Sequence, residues 1–539
     1  MFDIVIKGGK ILDGSGGKAY RADIGIKNEI ICEIGSEIDT GCADLIHADG
    51  YTVCPGFIDI HSHSDFSLIH NPRAESKVMQ GVTTEIVGNC GFSPGPVNPS
   101  RFDELMQYLV NTVAISEEEK KAWKYRSQGE FLCQLENCGI AVNIASLVGH
   151  GTIKVAAMGF KKEEPSRREH AHMAEMLINE LEQGVFGLSS GLQYEPGVFS
   201  TFDEMEKLLT VLKGYNGIYS THLKSEGKHL LECLDEAARL AALTGVSLEI
   251  SHLKAEGRSN WGKVEQALEL IDEAYGRGVD VGFDLYPYTA FGSGLMDLLP
   301  PWTRELGSGR MVDIINDAVL KERILRDMKS GLPGWENPME GMSWDRVRIA
   351  SVASDKNKKY EGLNLMQISE EIGCIPADAV LRLVADERGA VKMVFFGMRE
   401  EDIITVMKHP RTMFCTDGRA VAPYGRTGKG KPHPRYYGTY PRILGHYVRD
   451  LRVIPIEEAV KKMTLLPAEK MNLKRRGQLK KGNFADIVVF DENTVMDRAT
   501  FDEPHSFPQG IMYVLVNGQA VVWKGEHTGR LPGKILRKT

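Results

Sequence analysis

No stretch of the 539-residue chain runs to eighteen apolar residues, so a membrane-spanning helix is not expected. The opening residues, MFDIVIKGGKI, alternate like a strand and hold no apolar segment of signal length, so secretion is not expected either. Cysteine is scarce: nine residues, scattered without CxxC pairs or regular spacing, make no disulfide framework, and a reducing cytoplasm suits them. Excess positive charge is also missing. Lys and Arg number 65 against 73 Asp and Glu, and a formal net charge of -8 offers no basic face to a phosphate backbone. Nucleic acid is excluded as the main partner, a small-molecule substrate is expected, and homo-oligomer formation is left open. Internal repeats and low-complexity tracts are absent.

What is there is the composition of a globular protein, 42% hydrophobic and 26% charged, in a chain too long for one compact core. Residues 1–55 break into short alternating runs, FDIVIK, ADIGIK, IICEIG and YTVC, separated by Gly and Asp turns. The texture returns in residues 473–539 as FADIVVFD and IMYVLVNGQAVVW, the latter with a hairpin turn at Asn517-Gly518. The two ends are expected to build one small β-sandwich. Residues 56–472 alternate strand-like and helical runs, the βα pattern of a parallel sheet. Eight runs qualify as strands: GFIDI (56–60), VTTEIVG (82–88), IAVNIASLV (140–148), GVFGLSS (184–190), GIYST (217–221), VSLEIS (246–251), VDVGFDL (279–285) and TMFCT (412–416). Eight strands close a barrel, so the expected fold class is α/β, a (β/α)8 TIM-like barrel. The gap before the eighth run is too long for one βα loop, and residues 295–400 are read as an insertion near the barrel mouth with another strand at KMVFF.

His61-Ser62-His63 stands directly after the first strand, and residues two apart on an extended chain aim at one point. An isolated HxH is as readily a pair of surface histidines. Its position carries the reading, because Cys90 follows the second strand, His222 the fifth, His252 the sixth and Asp417 the eighth. Barrel active sites are assembled from these C-terminal strand ends. Imidazoles, a thiolate and a carboxylate are a zinc set, with donors enough for one or two Zn2+ ions. A lone Cys or His is ordinarily structural; six such residues at five strand ends make a site.

PGFIDIHSH, QGVTTEIVGNCGFSP, THLKSEG, SHLK, FCTDG, KPHPRYYGTYPRILGHYVRD and GQLKKGNFADIVVF together resemble the D-aminoacylase (N-acyl-D-amino-acid deacylase) branch of the amidohydrolase superfamily, nearly end to end. PGFIDxHxH and the ADIVVF tail belong to the whole superfamily, whereas GNCG and HPRxxGTxPRxLG are more selective. Many binuclear amidohydrolases bridge their metals with a carbamylated lysine on the fourth strand, and GVFGLSSGL has none there. Cys90 is the available bridging anion, and the resemblance implies the same assignment.

The resemblance implies hydrolysis of a linear amide by a metal-activated water. Asp417, one residue past an apolar strand and followed by Gly418, is the expected general base; an Asp capping the next helix is the bland alternative. Asp59 and Asp65 flank HSH and are candidates to orient its imidazoles, with solvated loop acids as an equal alternative. A free α-carboxylate on the substrate calls for a cation, and Lys254, two residues past His252, is the first choice. Tyr194, Tyr286 and Ser293 are further substrate-binding candidates, Arg419, Arg426 and Arg435 unranked ones, and His150 a residue that either lines the pocket or is structural. Two other readings compete: a cyclic-amide hydrolase of the dihydropyrimidinase or dihydroorotase kind, disfavoured by Cys90 and the missing lysine, and a dead scaffold, disfavoured by the intact ligand set.

Overall fold

The computed structural model describes residues 1–41, 43–109, 120–121, 123–303 and 307–538. Small parts of the expected insertion and C-terminal segment, residues 304–306 and 539, thus lie outside the described residues. All eight expected barrel strands form, at Phe57–Asp59, Val82–Val87, Asn143–Gly149, Gly187–Gly191, Ile218–His222, Ser247–Ile250, Val281–Leu285 and Thr412–Phe414. They pair in parallel in sequence order, except that the seventh joins the eighth across the insertion. The first and last meet through a parallel bridge between Ser62 and Gly418, with His63 N–H donating to Gly418 O at 2.9 Å.

Alternation along each strand divides the side chains between two cores. Ile58, Ile86, Ala145, Leu147 and Met413 fill the barrel, while Phe57, Val87, Ile144, Val148 and Phe414 face the surrounding helices. The helices carry the matching stripe. In Leu230–Thr244 the buried residues Leu230, Leu234, Ala237, Ala238 and Ala241 recur at helical spacing, and the helix stops at Gly245, whose φ of 72° suits glycine.

Strands from both chain ends join one nine-stranded sheet, in which Ile487–Phe490 pairs antiparallel with Thr52–Pro55. Its strands are apolar on both faces for a physical reason: Ile487, Val489, Tyr513 and Leu515 enter the sheet's own core, while Val488, Phe490, Val514 and Val516 enter the core shared with the barrel helices. The Asn517-Gly518 turn has positive φ at both residues, 48° and 75°, as a tight hairpin requires. A three-stranded sheet joins Phe291–Gly294, just before the expected insertion, to Val347–Ser351 and Lys392–Phe395 within it, the last being the KMVFF run and the central strand.

Candidate metal centre and substrate cavity

The strand ends bring His61, His63, Cys90, His222, His252 and Asp417 to one place. Two groups of ligand atoms, one from His61, His63 and Cys90 and the other from Cys90, His222 and His252, each lie within 4.8 Å of one another, and Cys90 belongs to both. The Cys90 Sγ is 3.3 Å from His61 Nε2, 3.6 Å from His252 Nε2 and 3.8 Å from His222 Nδ1. The Asp417 Oδ1 lies 3.2 Å from His63 Nε2 and 3.6 Å from His61 Nε2. Cys90, His252 and Asp417 all adopt left-handed backbone, with φ of 53°, 36° and 42°, conformations that cost non-glycine residues energy.

The outer nitrogens of three imidazoles face polar side chains. His61 Nδ1 faces Asp284 Oδ2 at 3.5 Å, His222 Nε2 faces Gln193 Oε1 at 2.6 Å, and His252 Nδ1 faces Glu226 Oε1 at 2.9 Å. Such partners hold the proton on the outer nitrogen and turn the inner lone pair toward the centre. The same inner nitrogens either donate to the Cys90 sulfur or, deprotonated, make with it the donor set of a soft divalent cation.

The electrostatics agree. Burial by itself would raise the Cys90 thiol, but the charge of His61 and hydrogen bonds from His222, His252 and His61 hold it well below the usual thiol range. Burial opposes ionisation of Asp417 as well, and is outweighed by Arg435 and by the hydrogen bond from His63, so the carboxyl stays well below its ordinary range. Burial and Lys254 push His252 down, yet Glu226 and the thiolate carry it up to about 9.

Above the centre opens a cavity of about 490 Å³, a small-molecule size, lined among others by Tyr194, Lys254, Tyr286, Ser293, Arg419 and Arg435. Lys254 Nζ is bonded to Glu226 Oε1 at 2.5 Å and lies 5.8 Å from the Tyr286 ring centroid. Ser293 donates its hydroxyl to Asp297. Arg435 is buried, pairs with Asp417 Oδ2 at 2.9 Å and stacks over Tyr286 at 4.5 Å. Its Nε and Nη1, and the Tyr286 hydroxyl, have no partner among the described residues. Arg426 is exposed and does not line the cavity.

Two expectations are corrected. Asp59 does not orient the HSH imidazoles: it pairs with Lys77 at 2.8 Å and accepts from Thr416. Asp65 instead accepts the Gly88 N–H at 2.7 Å. His150 takes its structural alternative, fully buried against Glu204 at 3.0 Å and outside the cavity lining. The groups that do support the imidazoles, Asp284, Glu226 and Gln193, were not singled out from sequence. Two signals pointed to them: Asp284 ends the seventh strand beside the other strand-end ligands, and Glu226 lies one helical turn past His222 in THLKSEG.

Residues 44–319 and 416–522 match the model of the amidohydrolase family. The chain belongs to that family. Within it, this amidohydrolase is 33% identical to the D-aminoacylase of Alcaligenes xylosoxydans xylosoxydans over 538 residues, covering 100% of this chain and 98% of the relative. It is 34% identical to the N-acyl-D-glutamate deacylase of the same organism, covering 99% of this chain and 96% of the relative. The crystal structure of the N-acyl-D-glutamate deacylase from Bordetella bronchiseptica, complexed with zinc and a phosphonate mimic of the tetrahedral intermediate, superposes with a TM-score of 0.82. That pair is 30% identical, and the match covers 99% of both chains. The amidohydrolase thus sits in the D-aminoacylase branch, and the cyclic-amide alternative loses ground.

Proposed function

We propose that this amidohydrolase uses zinc, one or two ions, to hydrolyse the amide bond of N-acyl-D-amino acids, giving a carboxylate and a free D-amino acid. The observation that carries the reading is the shared Cys90 thiolate, surrounded by inward imidazole lone pairs, with Asp417 beside it. His61, His63, Cys90, His222 and His252 would hold the metal, with Asp417 as a further ligand. When bound, zinc supplies Lewis acidity to the scissile carbonyl and acidifies the attacking water. Asp417, kept ionised by Arg435 and His63, accepts the water proton and returns it to the departing amine. The unpartnered Arg435 donors and the Tyr286 hydroxyl, with Lys254 beside them, hold the substrate α-carboxylate; Tyr194 and Ser293 line the rest of the substrate's path.

The test is a turnover screen over paired D- and L-N-acetyl amino acids with zinc supplied. Release of free D-amino acid is expected. Turnover of hydantoin or dihydropyrimidine without it would transfer the chain to the cyclic-amide reading. We also propose the division into a sandwich (1–55 and 473–539) and a barrel (56–472) with its insertion, supported by the sheet that strands from both chain ends build together and by the core on its one face. A cytoplasmic location is supported by eight free cysteines among the described residues and by the lack, there, of any helix long and apolar enough to cross a membrane.

A further inference from the structure

Lys77, on the short helix Glu75–Val78, is wholly buried and outside the cavity lining. Its ammonium lies 2.8 Å from Asp59 Oδ2 and 3.1 Å from Glu85 Oε2. It also donates to Thr416 Oγ1 at 2.6 Å, Gly418 O at 3.1 Å and Ser62 Oγ at 3.3 Å. Five acceptors therefore surround three protons. A lone helix-surface lysine has no use for such a setting, since a buried cation needs only one good counter-ion and satisfied donors to be tolerated.

The identity of those acceptors is informative. Ser62 separates His61 from His63, and Thr416 and Gly418 flank Asp417. Each segment gives its candidate ligands to the cluster around Cys90 and Asp417 and its intervening groups to Lys77. The grip is doubled behind it. Asp59 accepts both the Thr416 N–H at 2.8 Å and its hydroxyl at 2.6 Å. Glu85 accepts from the Ser62 and Ser64 hydroxyls, and Ser64 Oγ in turn accepts the Ala420 N–H at 2.8 Å. Direct backbone bonds between the segments are few: His63 N–H to Gly418 O at 2.9 Å and Asp417 N–H to His61 O at 3.0 Å. The first and eighth strands meet here with only a single bridge, so the sheet ladder does little to fix their separation.

We propose that Lys77 is a positioning residue for the reaction, setting the separation between the His61–His63 pair and Asp417 from behind the barrel seam. The inference rests on the deacylase reading for its kinetic part. Without the ammonium, two buried carboxylates repel each other across the seam, and the Asp417 segment loses its tie to the histidine segment. A shift well under an ångström in the acid relative to the metal ligands is costly in rate.

Two variants of the full chain test this. Lys77→Met removes the charge, and Thr416→Val leaves all three charges while deleting one arm of the grip. Zinc affinity is measured on metal-stripped protein by titration with zinc alone against a chelator, and kcat and KM are measured per zinc-loaded molecule. For Lys77→Met we expect about a tenfold or greater loss of zinc affinity and about a 100-fold loss of kcat, with KM little changed. For Thr416→Val we expect about a tenfold loss of kcat with a near-parental melting temperature. Folded Lys77→Met with parental zinc affinity and kcat overturns the proposal, as does a lowered melting temperature with both of these unchanged, which is the mark of a purely structural lysine. If Lys77→Met fails to fold, Thr416→Val decides by the same kcat criterion. Should the parent cleave no N-acyl-D-amino acid, the proposed function falls, while zinc affinity still decides the role of Lys77.

Discussion

In one half of the centre His61 and His63 lean on carboxylates, Asp284 behind one at 3.5 Å and Asp417 against the other at 3.2 Å. In the other half His222 leans on the neutral amide of Gln193, and His252 on Glu226, whose charge is already shared with Lys254. The halves have the same imidazole donors and share one thiolate, yet the first sits in a more negative surrounding. In the proposed site, ligand type is set by the residues at the strand ends, and ligand strength by what stands behind them. Both Asp417 and Glu226 line the cavity and both are paired with a cation, Arg435 and Lys254; they differ in place, Asp417 lying against His63 Nε2 and Glu226 against the outer nitrogen of His252.

The largest effect is expected at the residue common to both halves. Cys90→Ala should strip zinc from both and take activity with it, measured by metal analysis of the purified variant. Undiminished metal would end the idea that the thiolate is shared. Next comes Asp417→Asn, which keeps shape and loses basicity. A fall of roughly 10²–10⁴ in kcat is expected at full metal occupancy, determined on the same sample. A metallated variant working at the parental rate would require another base.

The sharper test of inequality between the halves is a pair of outer variants. Glu226→Gln weakens the support of His252 and the longer 3.8 Å contact with His222, both in one half, while Asp284→Asn acts on His61 and also on the His252 N–H, which donates to Asp284 at 2.8 Å. Each should cost about 10- to 100-fold in zinc affinity, with Asp284→Asn the more damaging because it touches both halves. Equal zinc titration curves for the two variants would mean that the halves are equivalent.

The smallest effect lies away from the centre and serves as its control. Glu180 is buried, accepts backbone N–H bonds from Gln128 at 3.0 Å and Gly129 at 3.3 Å, and is pushed up to about 7, chiefly by burial. A carboxyl raised above its unfolded value adds stability at low pH that is lost as the pH climbs through 7. Across roughly pH 4.5 to 7 the parent should lose a few degrees of melting temperature that Glu180→Gln keeps, with zinc affinity unaffected. Parallel melting curves for the two proteins over that range would show that Glu180 titrates normally.

The barrel was legible because each of its strands is a short apolar run bounded by turns, and even the three-residue Phe57–Asp59 lies inside the expected GFIDI. Candidate ligands were legible because they follow those runs. The supports were not. Asp284 reaches His61 from the seventh strand, past the eighth, and Lys77 reaches Thr416 across 339 positions of chain, so no spacing rule connects them. Asp59 shows the converse error: sequence adjacency to HSH suggested an orienting role, but the strand ends at Asp59 and its carboxylate is taken by Lys77 and Thr416. The insertion was legible as an excess of length and, locally, as the KMVFF strand; its pairing was not, because Phe291–Gly294 meets that strand from about a hundred residues earlier.

Cys90, His252 and Asp417 stand on left-handed backbone, and each such non-glycine position costs roughly 1–3 kcal/mol. Against the roughly 5–15 kcal/mol that holds a typical domain together, three of them are a heavy load. Glycine relieves this strain at no steric cost, and at these three positions it also deletes the chemistry. A population of variants selected for heat resistance alone would therefore drift toward sturdier, dead enzymes through these positions. Any thermostabilising campaign on this protein needs turnover in the same screen from its first round.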